Sequence, residues 1–180
     1  RQSGLETAIL KEAARGTLIF GVCGGYQMLG QSVSDPGGVE AAGVTQIRGM
    51  GLLPMDTVFH GEKVQTQTKG VFSGVAGLLS GLNGLSYTGY EIHMGRSQAQ
   101  LPPLTGSGNV YGSYVHGVFD APGVADAILQ ALCKKRGLDA SVLGAFDAAA
   151  YKTQQYDLLA DAVRAGLDMD LVYRALRREI

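Results

Sequence analysis

Apolar positions near the start of the chain alternate between two periods. Leu5, Ala8, Ile9 and Ala13 recur close to the 3.6-residue spacing of a helix face, so Leu5 to Arg15 is predicted helical. Ser3 with Glu6 fits a capping box at its start, and Gly16 fits its stop. Thr17 to Val22 is short, continuous in apolar residues and rich in β-formers, as in a strand buried on both faces of a parallel sheet. Cys23-Gly24-Gly25 follows at once, and Tyr26 to Val33 can be helical again. The local order is therefore helix, strand, sharp glycine turn, helix.

The middle of the chain is β-rich. Thr57-Val58-Phe59, Lys63 to Thr68 and Tyr87 to Met94 are strand candidates, the second alternating like a half-exposed strand. Ser97 to Gly108, with Pro102-Pro103, is predicted to be loop, and Asn109 to Val115 a strand ending at His116-Gly117. Pro122 sits near the start of a helix from Val124 to Lys135 that Gly137 stops. Asp147 to Arg164 and Asp168 to Arg178 are two more helices, broken at Gly166. Strands alternating with helices predict an α/β domain over residues 1–145. Its expected architecture is an open, largely parallel sheet flanked by helices, with residues 146–180 a helical C-terminal tail of the same domain.

Composition narrows the function classes. In 180 residues, 46% are hydrophobic and 17% charged, with a net charge of -1. No basic stripe suits nucleic acid and no polybasic run suits a membrane surface. No apolar run approaches the ~20 residues of a membrane span. Two cysteines in unlike settings make no disulfide framework, so a reducing cytoplasm is expected. The chain begins with Arg1, and a piece of a longer protein, truncated at its amino end, is expected.

Candidate chemistry centres on Cys23. A strand running straight into Cys-Gly-Gly and then a helix is a nucleophile elbow: a strained turn projects the sulfur from the carboxyl edge of the sheet. Gly21, Gly24 and Gly25 provide the small neighbours that the turn and an approaching substrate need. The following helix is expected to lower the thiol pKa through its amino end, and the Gly24 N–H to bind an oxyanion. Cys133, inside the run Ile128 to Cys133, is expected only to pack. A thiolate nucleophile needs a base, and the chain offers His60, His93 and His116. His116 follows a strand whose end can meet Cys23 at one sheet edge. His93 lies in a separate motif, and His60, before Gly61 at an expected hairpin turn, belongs on the surface. Zinc is disfavoured by the absence of His-x-x-x-His and Cys-x-x-Cys pairs, and no metal site is expected.

The run Gly21-Val22-Cys23-Gly24-Gly25-Tyr26-Gln27-Met28-Leu29-Gly30 resembles the nucleophile motif of class I (triad-type) glutamine amidotransferases, and more narrowly that of the cobyric acid synthase branch. Four further segments carry the narrow resemblance: Asp35 to Glu40, Gly49 to Pro54, Gly89 to Gly95, and Gly112 to Phe119. Tyr156 to Asp161 and Leu167 to Asp170 are also similar to that branch.

The resemblance implies a flavodoxin-like fold and a glutaminase. Cys23 attacks the side-chain amide of glutamine, His116 moves the protons, and a γ-glutamyl thioester is hydrolysed. Gln27 matches a position that contacts substrate glutamine. No cofactor is implied in this domain. ATP and Mg2+ belong to an N-terminal synthetase domain, the expected partner, which amidates adenosylcobyrinic acid a,c-diamide in cobalamin biosynthesis.

Two departures from the family pattern stand out. Val118 occupies the place where many relatives carry the glutamate of the triad, which leaves Glu91, and less well Asp120, as a possible third catalytic member. The loop that supplies a second oxyanion donor lies upstream of Arg1. Losing such a donor costs roughly 2.7–4 kcal/mol, ~10²–10³ in turnover, so the isolated piece is expected to be weakly active. The rival readings are a related amidotransferase (cobyrinic acid a,c-diamide synthase or lipid II amidation), a cysteine hydrolase on a similar scaffold, and a non-catalytic docking module using Arg164, Arg174, Arg177 and Arg178.

Overall fold

The structure is a computed structural model describing residues 3–40, 43, 45–97, 102–144 and 147–179. The chain divides into two compact units, Arg1–Gly144 and Ala145–Ile180. The first carries helix α1 (Leu5–Ala14), strand β1 (Ile19–Val22), helix α2 (Gly24–Leu29) and strands β2 (Ser32–Ser34), β3 (Gln46–Arg48), β4 (Asp56–Val71), β5 (Ser86–Arg96), β6 (Thr105–Ser107) and β7 (Val110–Ser113). Helix α3 (Val124–Arg136) follows, and 3-10 turns lie at Gly77–Leu82, Val118–Asp120 and Ala140–Val142. The second unit holds α4 (Ala148–Gly166) and α5 (Met169–Leu176).

The α/β character and the helical C-terminal region agree with the sequence. Strand direction is more mixed than the expected largely parallel sheet. One sheet has the order β1-β7-β6 and the other β3-β2-β4-β5. Each contains a single parallel pair, β1 with β7 and β2 with β4, and the other pairs are antiparallel. The cause is β4–β5. Thr57 to Phe59 and Lys63 to Thr68 are not separate strands but one 16-residue strand, with a register shift between Phe59 and Val64. His60 to Lys63 and Gln65 to Gln67 are exposed without alternation, so the middle of this antiparallel ribbon is wet on both faces. His60, expected at a hairpin turn, is exposed inside this irregularity.

Several ends differ in detail. Ser3 and Glu6 form no capping box: Gly4 is the N-cap of α1, without a side-chain cap. The predicted Tyr26–Val33 helix starts earlier, at Gly24, and stops at Leu29. Asp147 and Asp168 cap α4 and α5, accepting from the N–H groups of Ala150 and Leu171, and the break between these helices falls at Leu167, after Gly166.

Strand β7 separates two apolar cores. Tyr111, fully buried, joins Phe72, Leu79, Leu82, Val115 and Val124. Its neighbour Val110, on the opposite face of the strand, joins Tyr26, Leu29, Leu53 and Tyr114. Packing on both faces holds the β1–β7 pair rigid, and the candidate site lies at its carboxyl edge.

Candidate active site

Strand β1 pairs with β7 in parallel, with Val22 opposite Ser113, so both strands end at the same edge. Cys23 and His116 are the residues just past these ends. The Cys23 N–H donates to the Ser113 carbonyl at 2.8 Å, continuing the ladder one step beyond the strand. Cys23 has φ 51 and ψ -111, a left-handed backbone that non-glycine residues rarely adopt. Its carbonyl already accepts from the Gln27 N–H at 3.0 Å, so the residue is both the end of β1 and the N-cap of α2. This is the strained elbow predicted from Cys-Gly-Gly.

The flanking glycines have different jobs. A Cβ on Gly21 would lie 2.7 Å from Tyr26 N and 2.8 Å from Leu29 Cδ1, so α2 can fold back on β1 only over a glycine. Gly112, paired with Gly21 across the sheet, leaves room for the Tyr26 ring, which would otherwise be 1.8 Å from a Cβ. Gly24 and Gly25 face nothing within 4 Å, so they leave the approach to Cys23 open.

Two of the recognised segments anchor this turn. Gly49 to Leu53 wraps the end of α2. Met50 N–H donates to Met28 O at 2.8 Å, Leu52 and Leu53 N–H both donate to Leu29 O at 2.9 Å, and Gly51 N–H donates to Gly30 O at 2.8 Å. These carbonyls have no partner within the helix, so the segment acts as its C-cap. Asp35 is buried and its carboxylate accepts from the Val39 and Glu40 N–H groups, both at 2.8 Å, which shapes the Asp35–Glu40 loop.

Strand β5 ties nucleophile and histidine together. The Cys23 thiol donates to the Ile92 carbonyl, Sγ to O 3.5 Å. Two residues earlier Tyr90 forms an antiparallel bridge with His116: His116 N–H donates to Tyr90 O at 2.8 Å and Tyr90 N–H to His116 O at 3.2 Å. The two rings stack at 5.0 Å with an interplanar angle of 5°. A Cβ on Gly89 would lie 2.2 Å from the His116 carbonyl, so this close approach needs the glycine. His116 Nε2 is buried and has no hydrogen-bond partner among the described residues. A basic nitrogen stripped of water and of partners is suited to take a proton from whatever group comes within reach.

One sequence-based expectation is corrected here. The Cys23 thiol is not lowered. Burial pushes it above its ordinary value, and the Gly24 N–H, which pulls it down, is the weaker influence. Glu91, the possible third catalytic member, contacts His93 in this structure. Its Oε2 lies 3.2 Å from His93 Nε2. Side chains alternate along a strand, so Glu91 and His93 project from the face of β5 opposite Tyr90, whose ring covers His116. Asp120 lies in the 3-10 turn after His116, with Oδ2 3.8 Å from the place of a Gly117 Cβ.

Gln27 is buried, and its Nε2 donates to the Tyr114 hydroxyl at 3.3 Å. The Tyr114 hydroxyl is also 2.5 Å from Ser97 Oγ, which is 2.8 Å from Thr57 Oγ1. The Tyr114 ring stacks on His93 at 3.9 Å. The His93 Nδ1 donates to the Gly95 carbonyl at 2.7 Å, so both ring nitrogens of this histidine are engaged. Sequence reasoning passed over Tyr114, Ser97 and Thr57. The available signal was the tyrosine two residues before His116, inside a motif already singled out.

Residues 1–124 match the CobB/CobQ-like glutamine amidotransferase domain. The chain belongs to this family. The amidotransferase domain is 44% identical over 205 residues to a cobyric acid synthase of Lachnoclostridium phytofermentans, covering 100% of this chain and 40% of that protein. It is 43% identical over 199 residues to a cobyric acid synthase of Ruminiclostridium cellulolyticum, covering 100% of this chain and 38% of that protein. The amidotransferase domain thus spans about two-fifths of the length of these relatives. A solved structure described as a glutamine amidotransferase superposes with a TM-score of 0.40 at 19% identity, over 77% of this chain and 71% of that one. Among the described residues, no helix is long and apolar enough to cross a membrane.

Proposed function

We propose that the domain hydrolyses glutamine with Cys23 as nucleophile and His116 as general base, and that the ammonia serves carboxylate amidation in cobyric acid formation. The observation that carries this is the left-handed Cys23 at the end of β1, with the unpartnered Nε2 of His116 just past the end of the adjoining parallel strand.

The chemistry balances as follows. His116 Nε2 takes the thiol proton as sulfur attacks the amide carbon of glutamine. The carbonyl oxygen becomes an oxyanion, to which the Gly24 N–H can donate. The imidazolium returns the proton to the amide nitrogen, the C–N bond breaks and ammonia leaves, with a γ-glutamyl thioester on Cys23. Water, deprotonated by His116, attacks the thioester, and the thiolate leaves and recovers its proton. With the Cys23 thiol against the Ile92 carbonyl and burial pushing its pKa up, His116 is assigned the role of base during attack.

That the relatives are cobyric acid synthases supports the acceptor. In the longer protein a separate synthetase segment would use ATP and Mg2+ to activate side-chain carboxylates of adenosylcobyrinic acid a,c-diamide, and ammonia from this domain would complete the amides. The reducing cytoplasm suits a free Cys23.

The test is the longer protein carrying Cys23→Ala, assayed for corrinoid amidation with glutamine or with ammonium. Loss of the glutamine-dependent rate with retention of the ammonium-dependent rate is expected. Normal glutamine-dependent activity would remove Cys23 from catalysis and leave a docking module as the better account.

A further inference from the structure

Tyr90 and His116 meet twice. Their backbones form an antiparallel bridge, and their rings lie parallel, with centroids 5.0 Å apart and an interplanar angle of 5°. Gly89 makes this approach possible, because a Cβ there would collide with the His116 carbonyl and with Val115 Cγ1. Tyr90 is 47% exposed and belongs to neither of the two apolar cores, so its ring is not core filling. It covers one face of the imidazole. A hydrogen-bond acceptor would hold that imidazole through a nitrogen. A ring face holds the plane instead and leaves Nε2, which has no partner among the described residues, available to the thiol. The face of a phenol ring also carries the negative part of its quadrupole, which attracts a cation lying within about 6 Å of the centroid. His116 becomes such a cation when Nε2 takes the Cys23 proton. A charge formed on a partly buried ring is costly unless something offsets it.

We infer that Tyr90 is a positioning residue for His116: its ring face fixes the imidazole plane and stabilises the imidazolium formed as sulfur attacks. Strand β5 then serves both members of the pair, through the Ile92 carbonyl on the thiol and through Tyr90 on the base. A neutral imidazole gains less from the quadrupole than a charged one, so the stack strengthens as the proton moves. An interaction stronger in the transition state than in the ground state raises kcat and leaves substrate affinity alone. The attraction comes from the ring face, so the Tyr90 hydroxyl has no part in it. This inference rests on the glutamine-hydrolysing reading above and adds to it a residue that acts through the base.

The experiment measures kcat and KM for glutamine hydrolysis in the longer protein carrying Tyr90→Leu or Tyr90→Phe. Leucine keeps the backbone bridge and an apolar side chain but removes the ring face. Its kcat is expected to fall about tenfold, the scale of one desolvated cation over an aromatic ring, with KM for glutamine within about twofold. Phenylalanine keeps the face and should bring kcat back to within about twofold of the unsubstituted protein. Tyr90→Thr suits a strand and also lacks a ring, so it should match leucine and serves if the leucine variant does not fold. A kcat preserved in the variants without a ring overturns the inference. So does a rise in KM at constant kcat, which would place Tyr90 in substrate binding. A loss in the phenylalanine variant as large as in leucine would assign the effect to the hydroxyl and overturn it too. Each of these results leaves Cys23→Ala inactive with glutamine and the glutaminase reading standing. If Cys23→Ala keeps its glutamine-dependent rate, that reading falls and this inference with it.

Discussion

A single cysteine illustrates how environment overrides a local rule. The N-cap position of a helix ordinarily favours thiolate. At Cys23 desolvation wins, and the thiol donates to the Ile92 carbonyl. The sign follows directly: a folded-state pKa above the ordinary thiol value means less thiolate at neutral pH than in a free thiol. Iodoacetamide labelling of the ligand-free chain should therefore be slower at pH 7 than that of a denatured control, with its inflection on the alkaline side of the control's. A curve inflecting below the control's would show that the helix end prevails after all. His116 and Glu91 provide a second residue-scale contrast. His116→Ala should cost about 10³–10⁴ in glutamine hydrolysis, as for removal of an acid–base partner. Glu91→Gln, which alters the carboxylate 3.2 Å from His93 Nε2, should stay within tenfold. A loss in the glutamine variant as large as in the alanine variant would restore Glu91 to the catalytic set.

At the scale of elements, the site is a meeting of two strand ends, the middle of β5 and one short helix. Strand β5 contributes one carbonyl to Cys23 and a backbone bridge to His116, at positions two residues apart. Pleating puts those two positions on one side and Glu91 and His93 on the other, where they brace Tyr114. Glycines set how close these elements come. Gly112→Ala places a methyl within 1.8 Å of the Tyr26 ring, in contact with α2. Overpacking of that kind typically costs 1–3 kcal/mol or more, so the melting temperature should drop by at least ~2 °C. The same substitution at Gly25, where nothing lies within 4 Å, should leave the melting temperature almost unmoved. Equal shifts in the two variants would contradict the packing described for the elbow.

Over the whole molecule, apolar burial is concentrated in the first unit. Both cores lie in it, whereas α4 and α5 expose Tyr156, Leu158, Leu159, Leu171 and Leu176. Amide protection follows buried contacts. Hydrogen exchange in the isolated chain should be faster across α4 and α5 than in β1 and β7 by orders of magnitude. Comparable protection would mean that these helices bury their apolar faces against a partner.

Much of this molecule is legible in the chain alone. The strand-to-Cys-Gly-Gly switch announces the elbow because its geometry is local: a short apolar run, a residue forced to positive φ and small neighbours all lie within a few positions. The helices at Val124, Asp147 and Asp168 are legible for the same reason, since periodicity and stop residues are near-neighbour properties. What tertiary structure decided are the questions of partner and of charge state. Whether Glu91 meets His93 or His116 depends on which residue of β5 bridges His116, and periodicity does not say which one does. The thiol's protonation depends on desolvation summed over distant segments, not on the residue after it in sequence. The Tyr114–Ser97–Thr57 chain joins residues 17 and 40 positions apart, so no local pattern could reveal it. Sequence encodes which groups exist and which backbone turns are cheap; packing determines which of those groups face each other without water between them.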